Sequence, residues 1–256
     1  MDAASERELR RKEAYLRRFH DADPGRSGRG LLAGRTRQGH TTYDLVAECA
    51  RCESVLDVGC GDGVLLAQVD ATHAVGVDFS RAELRAAKRR LPSAHWVEAR
   101  SDALPFKGET FDVVVIHASL IAMPVEETLK EVYRVLRRGG RLVTLEQSDL
   151  PPQGAFREFV LRLSDALPEN TPTLGDARVT DREAMDRLLG SLGFEGVRFR
   201  DTLLEFGAEE RKVFFASLYG FDLLDPAAQA HALAAPGTTC VAGVRLTEAT
   251  KAAASE

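Results

Sequence analysis

Apolar residues fall along this chain in two alternating rhythms. Short unbroken runs sit around Val55-Leu56, Val75–Val77, Trp96-Val97, Val113–Ile116 and Leu142–Leu145. Strands covered on both faces need not alternate, so these runs predict buried strands over 54–58, 73–78, 95–99, 111–117 and 141–146. Between them apolar residues recur every third or fourth position, the spacing of one helical face. That spacing predicts helices over 42–49, 80–90, 125–137 (burying Leu129, Val132, Tyr133 and Leu136) and 155–166. A further helix is expected to open at Val64-Leu65-Leu66, directly after a glycine-rich turn.

The ends of the chain read differently. Leu9, Leu16 and Phe19 share one face of a charged stretch, 5–19, which predicts an amphipathic helix docked on the body of the protein. Turn residues fill 21–28, and 30–39 reads as irregular or weakly helical. Ser80 with Glu83 and Thr180 with Glu183 have the spacing of capping boxes. Arg134, Arg137 and Arg138 suit a helix C-terminus that Gly139-Gly140 ends. Prolines and glycines break the rhythm over 149–180, the composition of an insertion that could act as a lid. Two last strands are expected over 196–206 and 238–246 around a helix at 209–220, with a frayed tail from Thr247. The pattern predicts an α/β fold, a doubly wound sheet of seven strands. Its parts are a helical cap (1–48), a ligand-binding core (49–148), the lid (149–180), the rest of the core (181–248) and the tail (249–256).

Composition excludes several alternatives. Apolar residues make up 44% of the 256 positions and charged residues 29%, as in ordinary globular proteins. No apolar run is long enough to span a bilayer, and the charged N-terminus lacks the apolar core of a secretory signal, so the cytoplasm is expected. Four scattered cysteines form no disulfide framework. Cys49 and Cys52 make a lone C-x-x-C without the second pair of ligands that zinc needs, so no metal is expected. Residues 1–41 carry ten Lys/Arg against six Asp/Glu in a chain of net charge −5. This basic arm reads as solvated helix faces before it reads as a nucleic-acid contact.

The turn at Asp57-Val58-Gly59-Cys60-Gly61-Asp62-Gly63 carries the candidate chemistry. Open α/β sheets bind ligands at the carboxyl ends of their strands, and this turn lies at one. A dinucleotide loop, G-x-G-x-x-G, would need glycine at Val64. Asp57 and Asp62 beside a helix N-terminus would repel a pyrophosphate and suit an ammonium or sulfonium cation. Asp78, ending the second strand, can accept the hydroxyls of a ribose, and Asp102 after the third can accept from an exocyclic amine.

These residues resemble the class I S-adenosylmethionine-dependent methyltransferases of the small-molecule type. The resemblance rests on Val55–Gly63, Gly76-Val77-Asp78-Phe79-Ser80, Asp102–Phe106, Phe111–Val115 and Glu131–Leu142, in register over 54–146. It implies a Rossmann-like fold and S-adenosylmethionine as cofactor. It also implies that Asp57, Gly59 and Gly61 meet the methionine end, and Asp78 and Phe79 the ribose side. Asp102 and Ala103 would read the adenine, Tyr43 would stand beside the methionine end, and His117 would line the methyl-transfer channel. The chain departs from the family where Ile121-Ala122-Met123 precede Pro124, in place of a His pair, and where Arg138 replaces a Pro.

Methyl transfer to a hydroxyl or amine needs a base, and His117 is the first candidate, with packing against the cofactor as its alternative role. Glu146 is the second candidate, with His20 and His40 behind it as residues expected at the surface. The expected reaction is methylation of an O or N atom of a small molecule in secondary or cofactor metabolism. A non-catalytic or regulatory cofactor-binding protein is the alternative, and a quinone-ring acceptor a third reading without an extended apolar stretch behind it. A nucleic-acid acceptor is disfavoured, because Ile116-His117-Ala118-Ser119 does not resemble the D/N-P-P-Y/F of amino-methylating enzymes.

Overall fold

The computed structural model describes residues 3–253. Its strands are β1 (Cys52–Val58), β2 (Ala71–Asp78), β3 (His95–Glu98), β4 (Phe111–His117), β5 (Leu136–Gln147), the two-residue β6 (Gln153–Gly154), β7 (Phe194–Glu205) and β8 (Cys240–Lys251). The helices are α1 (Ala3–Ala22), α2 (Arg26–Ala33), α3 (Thr42–Cys49), α4 (Arg81–Arg90), α5 (Val125–Val135), α6 (Ala155–Ala166), α7 (Ala177–Thr180), α8 (Arg182–Ser191), α9 (Glu210–Ser217) and α10 (Pro226–Leu233). No helix among them is long and apolar enough to cross a membrane.

The main sheet has the seven-stranded order β3-β2-β1-β4-β5-β8-β7, with β6 pairing the far end of β8. The pairs β3-β2-β1-β4-β5 are all parallel, and β8 runs antiparallel between β5 and β7. Strand parity sorts the core into two layers. Val55, Val113, Val115 and Val143 meet α3, α6 and α9 through Val46, Phe159 and Phe215. Leu56, Val114, Ile116 and Leu142 meet α5 and α8 through Leu129, Val132 and Leu189. Val114 and Ile116 are fully buried, and each such side chain contributes about 1.5–3 kcal/mol.

Several expectations are corrected. No α-helix follows the glycine turn; residues 64–68 form turns. Two helix-like loops close there, with Ala67 N–H donating to the Gly63 carbonyl and Val69 N–H to the Leu65 carbonyl, before the chain must enter β2. Residues 26–33, read as turn as far as 28 and as irregular or weakly helical from 30, form α2. α5 ends at Val135, and Gly139-Gly140 lies inside β5, where the register with β4 shifts between Phe111 and Val113. Arg137 pairs with Asp112 and Arg138 with Glu109, so these cations serve the sheet edge in place of a helix end. Asp181, not Thr180, caps α8, accepting from Ala184 N–H. Ser80 caps α4, but Glu83 does not close the box, because its carboxylate is used elsewhere. The short α10 has no counterpart in the sequence reading.

Within the segment expected as a lid, one face of α6 enters the core. Phe156 and Phe159 of α6 are buried against Phe214 and Phe215 of α9, with Phe159 stacked on Phe215 at 4.1 Å. Further along, Asn170 and Thr173 bond to Arg11 and Glu8 of α1 and brace that helix from outside.

The tail is likewise ordered as far as Lys251. Residues 247–251 complete β8 between β5 and β7. Lys251 is buried, donates to the Leu136 carbonyl at 2.8 Å and lies over the Tyr133 ring. Residues 254–256 fall outside the described part. Truncation after Glu248 is therefore expected to lower the thermal midpoint by about 4–8 °C, as a loss of ~2 kcal/mol does in a domain of this size. Differential scanning calorimetry checks this, since loss of a frayed tail would leave the midpoint unchanged.

Candidate active site

β1 carries Asp57 to the carboxyl edge of the sheet, between Gly76 of β2 and Val115 of β4. The chain then turns through Gly59 at φ +77° and Gly61 at φ +50°, conformations that a Cβ resists. Gly59 donates to the Val77 carbonyl at 2.8 Å. A Cβ there would stand 2.6 Å from Ser119 Oγ, so the turn is pressed against the loop after β4. At Gly61 the nearest atom to such a Cβ is Glu83 Oε2 at 3.9 Å, so bare backbone faces open space. That space is a cavity of about 500 Å³ over the strand ends, roofed by α1, residues 25–31 and Tyr219.

The acids around this cavity are satisfied in different ways. Asp57 is 1% exposed, and neither carboxylate oxygen has a partner among the described residues. Burial, and after it the charge of Asp78, pushes its pKa up to about 8. Asp78 accepts from Gly61 N–H at 2.9 Å and Ser80 N–H at 2.8 Å, which ties the glycine turn to β2. Burial still raises its pKa, against the opposing charge of His20. Asp102 is forked by Arg100 at 2.9 and 2.8 Å, and that hydrogen bonding holds its carboxyl below the usual range. Asp62 is taken by Arg90, so of the two acids flanking the loop only Asp57 is left to meet a cation.

His117 and His20 both line the cavity, in different surroundings. His117 continues the parity of Val113 and Val115 and stacks on Tyr43, with ring centroids 4.1 Å apart and planes at 26°. Its Nε2 is buried and unpartnered, and burial lowers its pKa to about 3. An imidazole so weakly basic is a poor proton acceptor near neutral pH; it packs and can accept one hydrogen bond. His20, expected at the surface, lines the cavity. Its Nδ1 lies 3.0 Å from Glu83 Oε1 and its Nε2 3.0 Å from the Tyr219 hydroxyl. His40 is exposed and away from the cavity.

Glu146 does not line the cavity. Its Oε1 accepts from Ser119 N–H at 3.1 Å and Leu120 N–H at 2.8 Å, and burial pushes its pKa to about 8. It braces the turn after β4 and is removed from reach of a substrate proton. Ala103 is exposed, also off the cavity wall, with its N–H bonded to the Arg100 carbonyl at 3.3 Å. Phe79 does line the cavity, in edge contact with His20.

Glu83 and Tyr219 also line the cavity, although the sequence did not single them out for a site. Glu83 carried a signal, a capping-box spacing, that pointed to a different use. Its second oxygen accepts from Gly25 N–H at 2.8 Å and so ties the cap to α4. Burial pushes the thiols of Cys49 and Cys52 up, to about 11 for Cys52, which leaves both protonated. Among the described residues no His, Cys, Asp or Glu cluster could hold a metal ion.

The cavity fits an elongated cation with hydrogen-bonding hydroxyls: an unpartnered carboxylate beside bare glycine backbone at one strand end, and Asp78 at the next. Comparison with known proteins agrees. Residues 56–144 match the methyltransferase domain family. The ubiquinone/menaquinone biosynthesis C-methyltransferase UbiE of Roseobacter denitrificans is 30% identical over 177 residues, 58% of this chain and 69% of that one. The demethylmenaquinone methyltransferase of Renibacterium salmoninarum is 30% identical over 188 residues, 67% of this chain and 78% of that one. The crystal structure of YcgJ from Bacillus subtilis superposes with a TM-score of 0.59 at 15% identity, covering 83% of this chain and 98% of that one, which speaks for the fold. With cofactor pocket, sheet order and relatives in agreement, the chain belongs to the class I S-adenosylmethionine-dependent methyltransferases and is an enzyme of that family.

Proposed function

We propose that this enzyme methylates a ring carbon of a small hydroxylated aromatic of the reduced-quinone class. The observation that carries the reading is the ring pair of Tyr43 and His117, stacked at 4.1 Å in the wall of the cavity. A planar ring can lie against such a wall, and the neutral His117 offers it no charge. The names of the relatives favour carbon as the methylated atom over the oxygen or nitrogen expected from the sequence, and raise the quinone reading from third place to first.

The bound cofactor supplies a sulfonium methyl open to in-line displacement. This chain's task is then alignment and exclusion of water. In our reading Asp57 holds the ammonium of the cofactor's methionine end, where its unpaired oxygens need donors. Asp78 keeps lone pairs for the ribose hydroxyls beyond those given to Gly61 and Ser80. Phe79 and Asp102 border the adenine, and Gly59 and Gly61 let the cofactor lie on backbone. Ala103 keeps no side-chain role. α1 excludes water, held over the strand ends by Arg17 N–H donation to the Phe79 carbonyl at 2.9 Å and Ser80 Oγ to Asp21 at 2.7 Å.

Asp57 provides a pH test. Its carboxyl is protonated below about pH 8 in the free enzyme and must ionise against an ammonium. Cofactor binding at pH 7 is therefore expected to release close to one proton, and affinity to weaken by up to about tenfold for each unit below pH 8. Calorimetry in buffers of different ionisation enthalpy measures the proton. Asp57→Asn should abolish the release and weaken binding about 30- to 100-fold, the loss of a buried charge pair. Unchanged affinity would move the ammonium elsewhere. For the acceptor, 1,4-naphthohydroquinone and cofactor with a ¹³C-labelled methyl should yield a product whose methyl carbon resonates as ring-bound. A methoxy resonance would replace carbon with oxygen as the target.

A further inference from the structure

We propose that Tyr219, His20 and Glu83 form a hydroxyl–imidazole–carboxylate chain that takes the proton from the hydroxyl of the methyl acceptor. The proposal rests on the hydroxylated-ring reading of the acceptor given above. Three elements far apart in sequence bring the chain together: Glu83 from α4, His20 from α1, and Tyr219 from the turn after α9. The imidazole stands 3.0 Å from the carboxylate on one side and 3.0 Å from the phenol on the other, and all three residues line the cavity. This is the arrangement in which a carboxylate fixes the tautomer of a histidine and stabilises its protonated form, while the hydroxyl faces the substrate.

Each member is held in place. Glu83 has a side chain 2% exposed, and its other oxygen is anchored on Gly25 N–H. His20 packs edge-on to Phe19 and Phe79, at 5.3 and 5.9 Å between ring centroids. Tyr219 leans on Phe19 at 4.7 Å, and the next residue, Gly220, donates its N–H to the Tyr15 hydroxyl at 2.7 Å. That hydroxyl donates in turn to Asp222 at 2.8 Å. The chain also packs among residues that follow two of the strand ends. Tyr219 packs on the same Tyr15–Leu16–Phe19 cluster as Ala122, which follows β4, and as Phe79, which follows β2. The cap is tied down without it, through Asp21 and Arg17, so attachment alone does not account for three ionisable groups in line.

The proton balance is closed. The acceptor's O–H donates to Tyr219 Oη, and as its proton crosses, the phenol's own proton passes to His20 Nε2. Tyr219 is unchanged, His20 has gained one proton, and Glu83 faces an imidazolium. The electron pair left on the acceptor is shared with the ring carbon, which bonds to the methyl as the methyl–sulfur bond breaks. The ring carbon then loses its hydrogen to water as a proton, and the oxygen regains a proton along the same chain in reverse. One methyl enters and one proton leaves.

The test compares the native enzyme with Tyr219→Phe, which keeps the ring packing, and with His20→Gln and Glu83→Gln. Two acceptors are used: 1,4-naphthohydroquinone, and a derivative whose electron-withdrawing substituent lets its hydroxyl ionise about two pH units lower. General-base removal predicts that Tyr219→Phe and His20→Gln lower kcat on the parent by about 100-fold, with cofactor Kd within threefold. On the more acidic derivative the deficit should shrink to less than about tenfold, because less proton removal is needed. Equal deficits on both acceptors would reduce the chain to a scaffold. A raised cofactor Kd with kcat preserved would make it part of the cofactor site; either result overturns the proposal. If the native enzyme methylates neither compound, it is the acceptor reading that fails. The chain is then judged by the imidazole nitrogen resonances of His20, which must shift when 1-naphthol is added to the complex with S-adenosylhomocysteine. Resonances that stand still overturn it.

Discussion

Among the described residues four buried carboxylates line one cavity, and burial raises the pKa of three of them, Asp57, Asp78 and Glu83. A buried charge without a partner costs several kcal/mol or is given up by protonation. Each acid meets that constraint with different material, and each solution builds a part of the site. Asp78 is solved by backbone, and its two N–H bonds close the glycine turn on β2. Glu83 is solved by the cap, through Gly25 N–H and His20. Asp57 is left unsolved, which makes the cavity receptive to a cation.

This division of labour links the cap to the cofactor pocket. The bonds from α1 and the following turn to α4 and the β2 end fall on Phe79, Ser80 and Glu83, the residues just after Asp78. Glu13 reaches Arg100, the partner of Asp102. The roof is therefore pinned to residues in and beside the cavity wall, so the covering of the cavity and the shape of its floor are set together. Residues 149–180, which separate β5 from α8, supply core and bracing from outside this arrangement.

Burial also separates the two histidines that line the cavity. His117 is placed by its strand at the carboxyl edge, but an apolar wall and the Tyr43 ring leave it nothing to stabilise its charge. Glu146, at the end of the neighbouring strand, is spent on backbone N–H groups. His20 comes from an N-terminal helix with no motif, yet it has a carboxylate on one nitrogen and a hydroxyl on the other.

Strands β1 to β5, helices α3, α4 and α6, and the residues at the strand ends were legible from residue order alone. Buried parallel strands must be written as apolar runs, and glycines where the backbone turns at positive φ cannot be exchanged freely. The chain's membership of its family follows from the same local signals, because Asp57, Gly59 and Asp78 lie at the ends of adjacent strands. What the sequence could not determine depended on distant contacts. The capping-box spacing of Ser80 and Glu83 is genuine, but Gly25 N–H and His20 compete for the same carboxylate and win. The Thr247–Lys251 stretch looks like a loose tail until β5 and β7 pair both of its edges. Charge state, too, belongs to the tertiary structure: a carboxylate or an imidazole is the same letter whether it is solvated, paired or stranded in a cavity. Only packing set Asp57 apart as the unpaired acid, His117 as the neutral wall and His20 as the histidine held between an acid and a hydroxyl.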